Sequence, residues 1–193
     1  MRQVFFSRFM LLFVLLSVNF MLPATSAAAK ESRAVIAEKM LTGINQATWI
    51  EEGKSPHVIY VFFDPNCPYC HRVYTNTRDW IKHNEVQIRW VPVGVLTPTS
   101  QGKALTLLDS KDPLKLFHHG EDNFVGGEGS DIDEALDGSV KSVKALKNNV
   151  KLLRLTGFDA VPSILFRSKN GDAILVEGAP PAEKMKIILQ YVK

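Results

Sequence analysis

The sequence predicts a mixed α/β fold in which a four-stranded sheet carries helices on both faces. An almost unbroken run of β-branched and aromatic residues at 57–63 is typical of a strand buried on both faces. A helix that begins at a Cys-Pro-Tyr-Cys motif and a second strand at 86–95 follow it, and the three elements form a βαβ unit. A hairpin and a closing helix complete the sheet.

Helical spacing and turn residues predict the remaining elements. Apolar residues at 31–47 predict an amphipathic helix, which we assign to an N-terminal linker at 30–56. From about 97 to 157 the pattern is helical with loops. Asn170-Gly171 is a strong hairpin signal between two short strands, and Pro180-Pro181 precedes the last helix.

Residues 57–193 therefore run in the order βαβ, helical block, ββα, which is a thioredoxin-like domain with a helical insertion at about 97–157. The composition, 46% hydrophobic and 22% charged, suits one globular domain. A chain of this length can bury a sufficient core without disulfide staples.

The first 29 residues have the layout of a secretory signal peptide. Arg2 and Arg8 form a basic start, an apolar stretch follows, and alanines at 27–29 provide a small-residue cleavage site. The alternative, a retained membrane anchor, is disfavoured because the apolar stretch is interrupted and falls short of the roughly 20 residues that span a bilayer. We therefore expect export to the periplasm.

Removal of residues 1–29 takes away two basic residues and no acidic one, so the formal net charge falls from +3 to +1. A near-neutral protein has no electrostatic basis for binding nucleic acid, and we expect no nucleic-acid partner.

Cys67 and Cys70 are the only two cysteines of the chain. A disulfide that closes so short a loop removes little entropy from the unfolded chain and would stabilise the fold little. Cys67 lies where the buried strand ends and a helix begins, so unpaired N–H groups and the helix dipole favour its thiolate. Cys70, one turn further on, should lie deeper with a more ordinary pKa. We expect Cys67 to be the nucleophile of thiol–disulfide exchange and Cys70 the resolving thiol.

Three alternatives compete with redox chemistry. Cys-Pro-Tyr-Cys-His at 67–71 matches the attachment pattern of c-type haem, but the α/β pattern elsewhere does not suit a cytochrome. A zinc site with His71 or His83 lacks a second pair of ligands. A buried pair without activity is disfavoured by the position of the pair at a helix start. We expect no metal and no cofactor, and we place His118, His119 and Glu128 on the surface.

Val161-Pro162, after the helical block, is the second functional signal. Proline at the start of a strand can simply mark an edge. In a thioredoxin-like domain, however, this proline is cis and faces the cysteine pair, and the backbone of Val161 could then pair with an extended substrate. Tyr69 could contact substrate, Asp64 could be a turn former only, and His71 could either be solvated or tune the thiolate.

Taken together, these motifs resemble the catalytic domain of the bacterial periplasmic disulfide isomerases DsbC and DsbG, and DsbG more closely. The motifs are Trp-Ile-Glu-Glu-Gly at 49–53, the segment 58–70, Val-Gly-Val at 93–95, Ser-Lys-Asp-Pro at 110–113 and Val-Pro at 161–162. The resemblance covers about residues 45–193. It implies that Cys67 is the nucleophile, Cys70 the resolving thiol and Pro162 the cis proline, and we expect these three residues to be catalytic. Tyr69 and Val161 are the residues that we expect next to the substrate.

Two departures bear on the activity. Only about fifteen residues stand where those isomerases carry an N-terminal dimerisation domain, so we expect a monomer or a weak dimer. Val161 also replaces the usual threonine and is similar to the residue of the oxidase DsbA. We expect a reductase or isomerase acting on exported, cysteine-containing proteins with a membrane redox partner. The alternatives are a monomeric oxidase and a chaperone or binding module without redox turnover.

Overall fold

The computed structural model describes residues 31–193, and the expected signal peptide lies outside this range. Six helices and five strands follow one another along the chain: α1 (Arg33–Gly43), β1 (Ile50–Glu52), β2 (Val58–Phe63), α2 (Pro68–Lys82), β3 (Gln87–Pro92), α3 (Ser100–Asp109), α4 (Pro113–Asp122), α5 (Val140–Leu153), β4 (Ser163–Arg167), β5 (Ala173–Glu177) and α6 (Ala182–Tyr191). Within the described range, no helix is both long and apolar enough to cross a membrane.

The strands form one mixed sheet in the order β1-β3-β2-β4-β5. Strands β2 and β3 are parallel, and the other neighbouring pairs are antiparallel. The predicted arrangement with a helical insertion is confirmed, because α3, α4 and α5 lie between β3 and β4. The sheet has one strand more than the four predicted. The additional strand, β1, is only three residues long and has no clear alternation in its sequence, so its pairing with β3 was not predicted.

Side chains alternate between the two faces of the sheet, and each face supports its own apolar core. One core packs α2, α4 and α6 against residues that include Val61, Trp90 and Ile164. The other core packs α1 and the end of α5 against residues that include Phe62 and Leu165. The cysteine pair belongs to the first core.

Helix α1, which the sequence predicts as a linker, packs on the sheet. Its residues Ile36, Ala37 and Met40 are buried and contribute to the second core. Ion pairs join it to the sheet as well, since Arg33 contacts Glu177 and Arg167 contacts Glu38. The apolar side of α1 therefore covers the face of the sheet opposite to α2. The domain boundary between residues 56 and 57 stays a prediction.

A buried carboxylate on β1 connects four elements. The guanidinium of Arg78 on α2 donates to both oxygens of Glu52 at 2.6 and 2.8 Å. The indole N–H of Trp90 on β3 donates at 2.8 Å, and Nε2 of His118 on α4 lies 2.5 Å away. Burial alone would raise the pKa of Glu52, but Arg78, Trp90 and His118 together hold it below its ordinary value. His118 is therefore no simple surface residue: it binds the insertion to the sheet edge.

We expect Glu52→Gln to destabilise the protein by about 3 kcal/mol, because it leaves the half-buried Arg78 without its counter-charge. The matched control is Glu51→Gln on the same strand. Glu51 faces solvent and pairs loosely with Arg89 at 3.4 Å, so its replacement should cost less than about 1 kcal/mol. Chemical denaturation measures both values. Equal effects of the two substitutions would contradict the role of the buried network.

Candidate active site

Cys67 is the N-cap of α2, and Pro68 is the first residue inside the helix. The backbone N–H of Cys70 donates to the sulfur of Cys67 at 3.3 Å, so the thiol accepts one of the unpaired donors of the first turn. The Cys67 sulfur also lies 3.7 Å from the carbonyl oxygen of Val161. Cys67 and Cys70 are 1% and 2% exposed, so both thiols are buried.

The two thiols have pKa values shifted in opposite directions. A hydrogen bond from the Cys70 thiol lowers the pKa of Cys67; burial opposes this, and backbone N–H groups of Cys70 and Tyr69 add to it. Burial raises the pKa of Cys70 well above its ordinary value, and the hydrogen bond and charge of Cys67 raise it further. The direction predicted for Cys67 is confirmed. Cys70 departs from expectation, because its pKa is raised rather than ordinary.

The Val161–Pro162 peptide bond is cis, as the resemblance implies. Pro162 directly precedes β4, which pairs with β2, the strand that leads to the cysteines. This pairing places the Val161 carbonyl beside Cys67. Tyr69 is 54% exposed, and the guanidinium carbon of Arg72 lies 5.1 Å from its ring centroid. The structure thus brings the cysteines and the Val161–Pro162 segment together and leaves the Tyr69 ring in solvent.

Asp64 holds the loop that carries the cysteines. One carboxylate oxygen accepts the backbone N–H of Asn66 at 2.9 Å and the hydroxyl of Ser100 at 2.7 Å. The other oxygen accepts the N–H groups of Val95 and Leu96 at 2.7 and 3.0 Å. Asp64 is completely buried. The sequence suggests only a turn former here, because residues 95–100 are too distant along the chain to be recognised as partners.

The insertion closes the other side of this loop. The N–H of Ser130 donates to the carbonyl oxygen of Pro65 at 2.8 Å, and its hydroxyl donates to the same oxygen at 2.5 Å. The ammonium group of Lys103 holds the carbonyls of Glu128 and Ser130 at 2.9 and 2.8 Å. Gly129 has φ +85°, and a Cβ atom there would lie 2.7 Å from the Cα atom of Asn66. The two loops therefore touch backbone to backbone.

His71 is neither free in solvent nor in contact with a thiol. Its ring stacks on Phe124 with centroids 4.6 Å apart, and its Nδ1 atom lies 3.0 Å from Oε2 of Glu121. Glu121 is 2% exposed, and burial raises its pKa to about 8. Burial also lowers the pKa of His71. Burial therefore favours the neutral form of both groups, and their contact is a hydrogen bond between Nδ1 and Oε2.

Sequence reasoning missed Glu121, because fifty positions separate it from His71 and no motif surrounds it. Within residues 31–193, no three His, Cys, Asp or Glu side chains are grouped so that they could hold a metal ion. The haem pattern at 67–71 requires two accessible sulfurs and an axial histidine. Here both sulfurs are buried and His71 is bonded to Glu121, so the residues do not fit that group.

We expect Gly129→Ala to destabilise the protein by at least about 2 kcal/mol, since an L side chain at positive φ costs about 1–2 kcal/mol and the contact with Asn66 adds to this. Gly126→Ala is the matched control. No atom lies within 4 Å of a Cβ there, so stability should be unchanged or slightly higher. Thermal unfolding distinguishes the two outcomes, and a harmless Gly129→Ala would contradict the backbone contact.

The raised pKa of Glu121 predicts a pH-dependent stability. Between its unfolded value near 4.5 and its folded value of about 8, the folded protein binds a proton that the unfolded chain does not. The unfolding free energy of the reduced protein should therefore fall as pH rises through this window. Between pH 5 and pH 8, the unfolding free energy of the wild type should fall by on the order of 4 kcal/mol more than that of Glu121→Gln. If the unfolding free energies of the two proteins changed equally with pH, this prediction would be contradicted.

A family model described as a thioredoxin-like domain matches residues 45–193. The thiol:disulfide interchange protein DsbG of Pseudomonas aeruginosa is 33% identical over 158 residues, which cover 81% of this chain and 60% of that protein. DsbG of Escherichia coli is 32% identical over 162 residues, covering 83% of this chain and 64% of that protein.

The chain thus spans about three fifths of the length of these curated relatives. A crystal structure of Proteus mirabilis ScsC in a transitional conformation has a TM-score of 0.64 at 20% identity, covering 84% of this chain and 80% of that one. At such identity it supports the fold alone. With the family match over most of its length, this chain belongs to the thioredoxin-like domain family.

Proposed function

We propose that this protein is a thiol–disulfide oxidoreductase that exchanges disulfides with exported, cysteine-containing proteins through Cys67 and Cys70. The observation that carries the proposal is the inequality of the two thiols. The hydrogen bonds at the helix start lower the pKa of Cys67, while burial raises the pKa of Cys70. Such a pair separates the attacking from the resolving role.

The reaction proceeds in two exchanges. The Cys67 thiolate attacks one sulfur of a substrate disulfide, a mixed disulfide forms, and the other substrate sulfur leaves as a thiolate. Cys70 then loses its proton and attacks the sulfur of Cys67, so that the Cys67–Cys70 disulfide forms and the second substrate sulfur leaves. The substrate is reduced by the electron pair that the dithiol loses, and the reverse sequence oxidises a substrate dithiol.

The Val161–Pro162 segment supports the binding role in this proposal. Because the Val161 carbonyl lies beside the Cys67 sulfur, an extended substrate that pairs with the Val161 backbone would present its own sulfur to Cys67. Pro162 holds this segment next to the cysteines. The exposed ring of Tyr69 would contact the substrate on the other side.

The names of the DsbG relatives support a thiol:disulfide interchange activity. We propose further that this activity is of the reductase or isomerase type, that the protein acts in the periplasm, and that it has a membrane redox partner. A specific observation favours a monomeric oxidase as the second candidate. A lower pKa of Cys67 stabilises the reduced form and makes the disulfide a stronger oxidant. Val161, similar to the residue of DsbA, supports the same candidate. A monomer or weak dimer fits either activity.

A redox titration of the Cys67–Cys70 pair tests the proposal and separates its two forms. A potential near about −180 mV would match an isomerase, and one near about −120 mV a strong oxidase. Failure of the pair to form a reversible disulfide in glutathione buffers would refute the proposal.

Two serine variants accompany the titration. Cys67→Ser should abolish reduction of a model disulfide protein, and Cys70→Ser should accumulate the mixed disulfide with the substrate, visible by mass spectrometry. Both variants should fold as the wild type does. Full activity of Cys67→Ser in preventing substrate aggregation, together with no redox activity of the wild type, would instead indicate a chaperone or binding module.

A further inference from the structure

Helices α3 and α5 and the backbone that follows β3 border a groove of about 720 Å³. Gly94 and Val95 form the backbone wall of this groove. A Cβ atom at position 94 would lie 2.5 Å from the Cα atom of Gln101, so this wall lies directly against the first turn of α3. The walls of the groove are therefore fixed by packing within the fold.

The inner surface of the groove is largely aliphatic. Leu105 and Leu146 line it and belong to a small core between α3 and α5. Val150 packs against the same core, and Val95 packs against the core beneath α1. Val143 also lines the groove and is 47% exposed. An apolar side chain of a ligand would gain free energy by covering this aliphatic surface.

The edge of the groove is basic. Lys147, Lys151 and Arg154 line it, and Asp159 is the acidic residue among the lining residues. The guanidinium of Arg154 donates to the two carboxylate oxygens of Asp159 at 2.9 and 3.1 Å, so this pair is neutral. Lys147 and Lys151 are exposed and, within residues 31–193, neither makes an ion pair. The groove therefore combines an apolar surface with two positive charges that lack a counter-charge.

Both walls of the groove lead to the cysteine site. The N–H of Val95 donates at 2.7 Å to Asp64, which lies three residues before Cys67. On the other wall, Asp159 precedes Val161 by two residues, and the Val161 carbonyl lies 3.7 Å from the Cys67 sulfur. Two consecutive Cα–Cα steps span at most about 7.6 Å. A chain that pairs with the Val161 backbone can therefore continue into the groove.

We propose that this groove binds the segment of a substrate protein that adjoins its reacting cysteine, and that it selects segments which combine apolar with acidic side chains. The proposal rests on the proposed thiol–disulfide exchange and adds the class of substrate. Apolar side chains of the segment cover the aliphatic surface, and its carboxylates lie near the ammonium groups of Lys147 and Lys151. Complementary charge of this kind gives specificity between otherwise similar ligands.

A membrane surface is the other ligand that a row of lysines can bind. Exposed lysines of α5 stand at positions 141, 144, 147 and 151. In the loop before α5, however, the exposed acidic residues Asp133, Glu134 and Asp137 flank Leu136, which is 92% exposed. An anionic lipid surface would repel these carboxylates at the place where Leu136 would have to insert. The distribution of charge therefore favours a peptide in the groove.

The test uses the full reduced protein and two nine-residue peptides, each with a central cysteine joined by a disulfide to nitrothiobenzoate. One peptide has Asp-Leu-Glu-Leu on both sides of the cysteine, and the other has Lys-Leu-Lys-Leu. The Cys67 thiolate attacks the peptide sulfur, a protein–peptide disulfide forms, and nitrothiobenzoate leaves as a coloured thiolate with the electron pair of the broken bond. Stopped-flow absorbance gives the second-order rate constant, which is divided by that for mercaptoethanol to remove differences in peptide reactivity.

For the wild type we expect the acidic peptide to react about 3- to 30-fold faster than the basic one, as two exposed charge pairs predict. The double variant Lys147→Glu with Lys151→Glu should prefer the basic peptide instead. Such a reversal distinguishes recognition from damage, because a distorted groove would lose its preference without inverting it. The matched control is Lys141→Glu with Lys144→Glu, which changes the net charge equally on the same helix but outside the groove, and it should keep the wild-type preference.

A second pair of variants decides if the double variant at 147 and 151 does not fold. Val143→Ser should lower the rate constant of the acidic peptide about 2- to 5-fold, because Val143 lines the groove. Val140→Ser is its control, since Val140 is 90% exposed and lies outside the groove. Equal effects of these two substitutions would overturn the proposal.

The remaining outcomes separate this proposal from the proposed function. Equal rate constants for the two peptides in the wild type, or the same loss of preference in both double variants, would overturn the groove and leave the exchange activity standing. Binding of the wild type to phosphatidylglycerol vesicles that both double variants lose, without any preference between the peptides, would assign the lysines to a membrane surface instead. Absence of nitrothiobenzoate release from either peptide would refute the proposed function itself.

Discussion

The carboxylate of Asp64 is the constraint on which the cysteine site depends. It lies at the end of β2 and joins three segments distant in sequence: the turn before Cys67, the backbone that follows β3, and the start of α3. Each buried donor left without this acceptor would cost about 1–3 kcal/mol. The same loop places the Cys67 sulfur at the start of α2, so the contacts of Asp64 contribute to the position of this sulfur.

The helical insertion forms one wall of the site. Ser130 binds the carbonyl of Pro65, Gly129 packs on Asn66, and Glu121 lies behind the cysteine helix next to His71. Further along the same face of α2, a chain of contacts runs from Glu52 through Arg78 and Tyr74 to Asp122 of the insertion. The redox helix is therefore held between the sheet edge and the insertion by polar groups whose partners lie on different elements.

The two buried glutamates near the cysteine helix, Glu52 and Glu121, differ in their electrostatic environment. Glu52 and Arg78 neutralise each other in a bidentate pair and keep their charges throughout. Burial raises the pKa of Glu121 to about 8, with a smaller contribution from the charge of Cys67.

The sequence by itself determined the order of the elements, the helical insertion and the position of Cys67 at a strand-to-helix junction, because each depends on neighbouring residues and their periodicity. The cis proline was implied by the resemblance of the motifs. Only the tertiary structure decided that α1 packs on the sheet, that β1 is a strand, and that Asp64 and Glu121 matter to the site. These features rest on contacts between residues about thirty to more than one hundred positions apart, which no local pattern records. The reactivity of Cys67 depends on its local position at the start of a helix. The burial that raises the pKa of Cys70 comes from the tertiary structure.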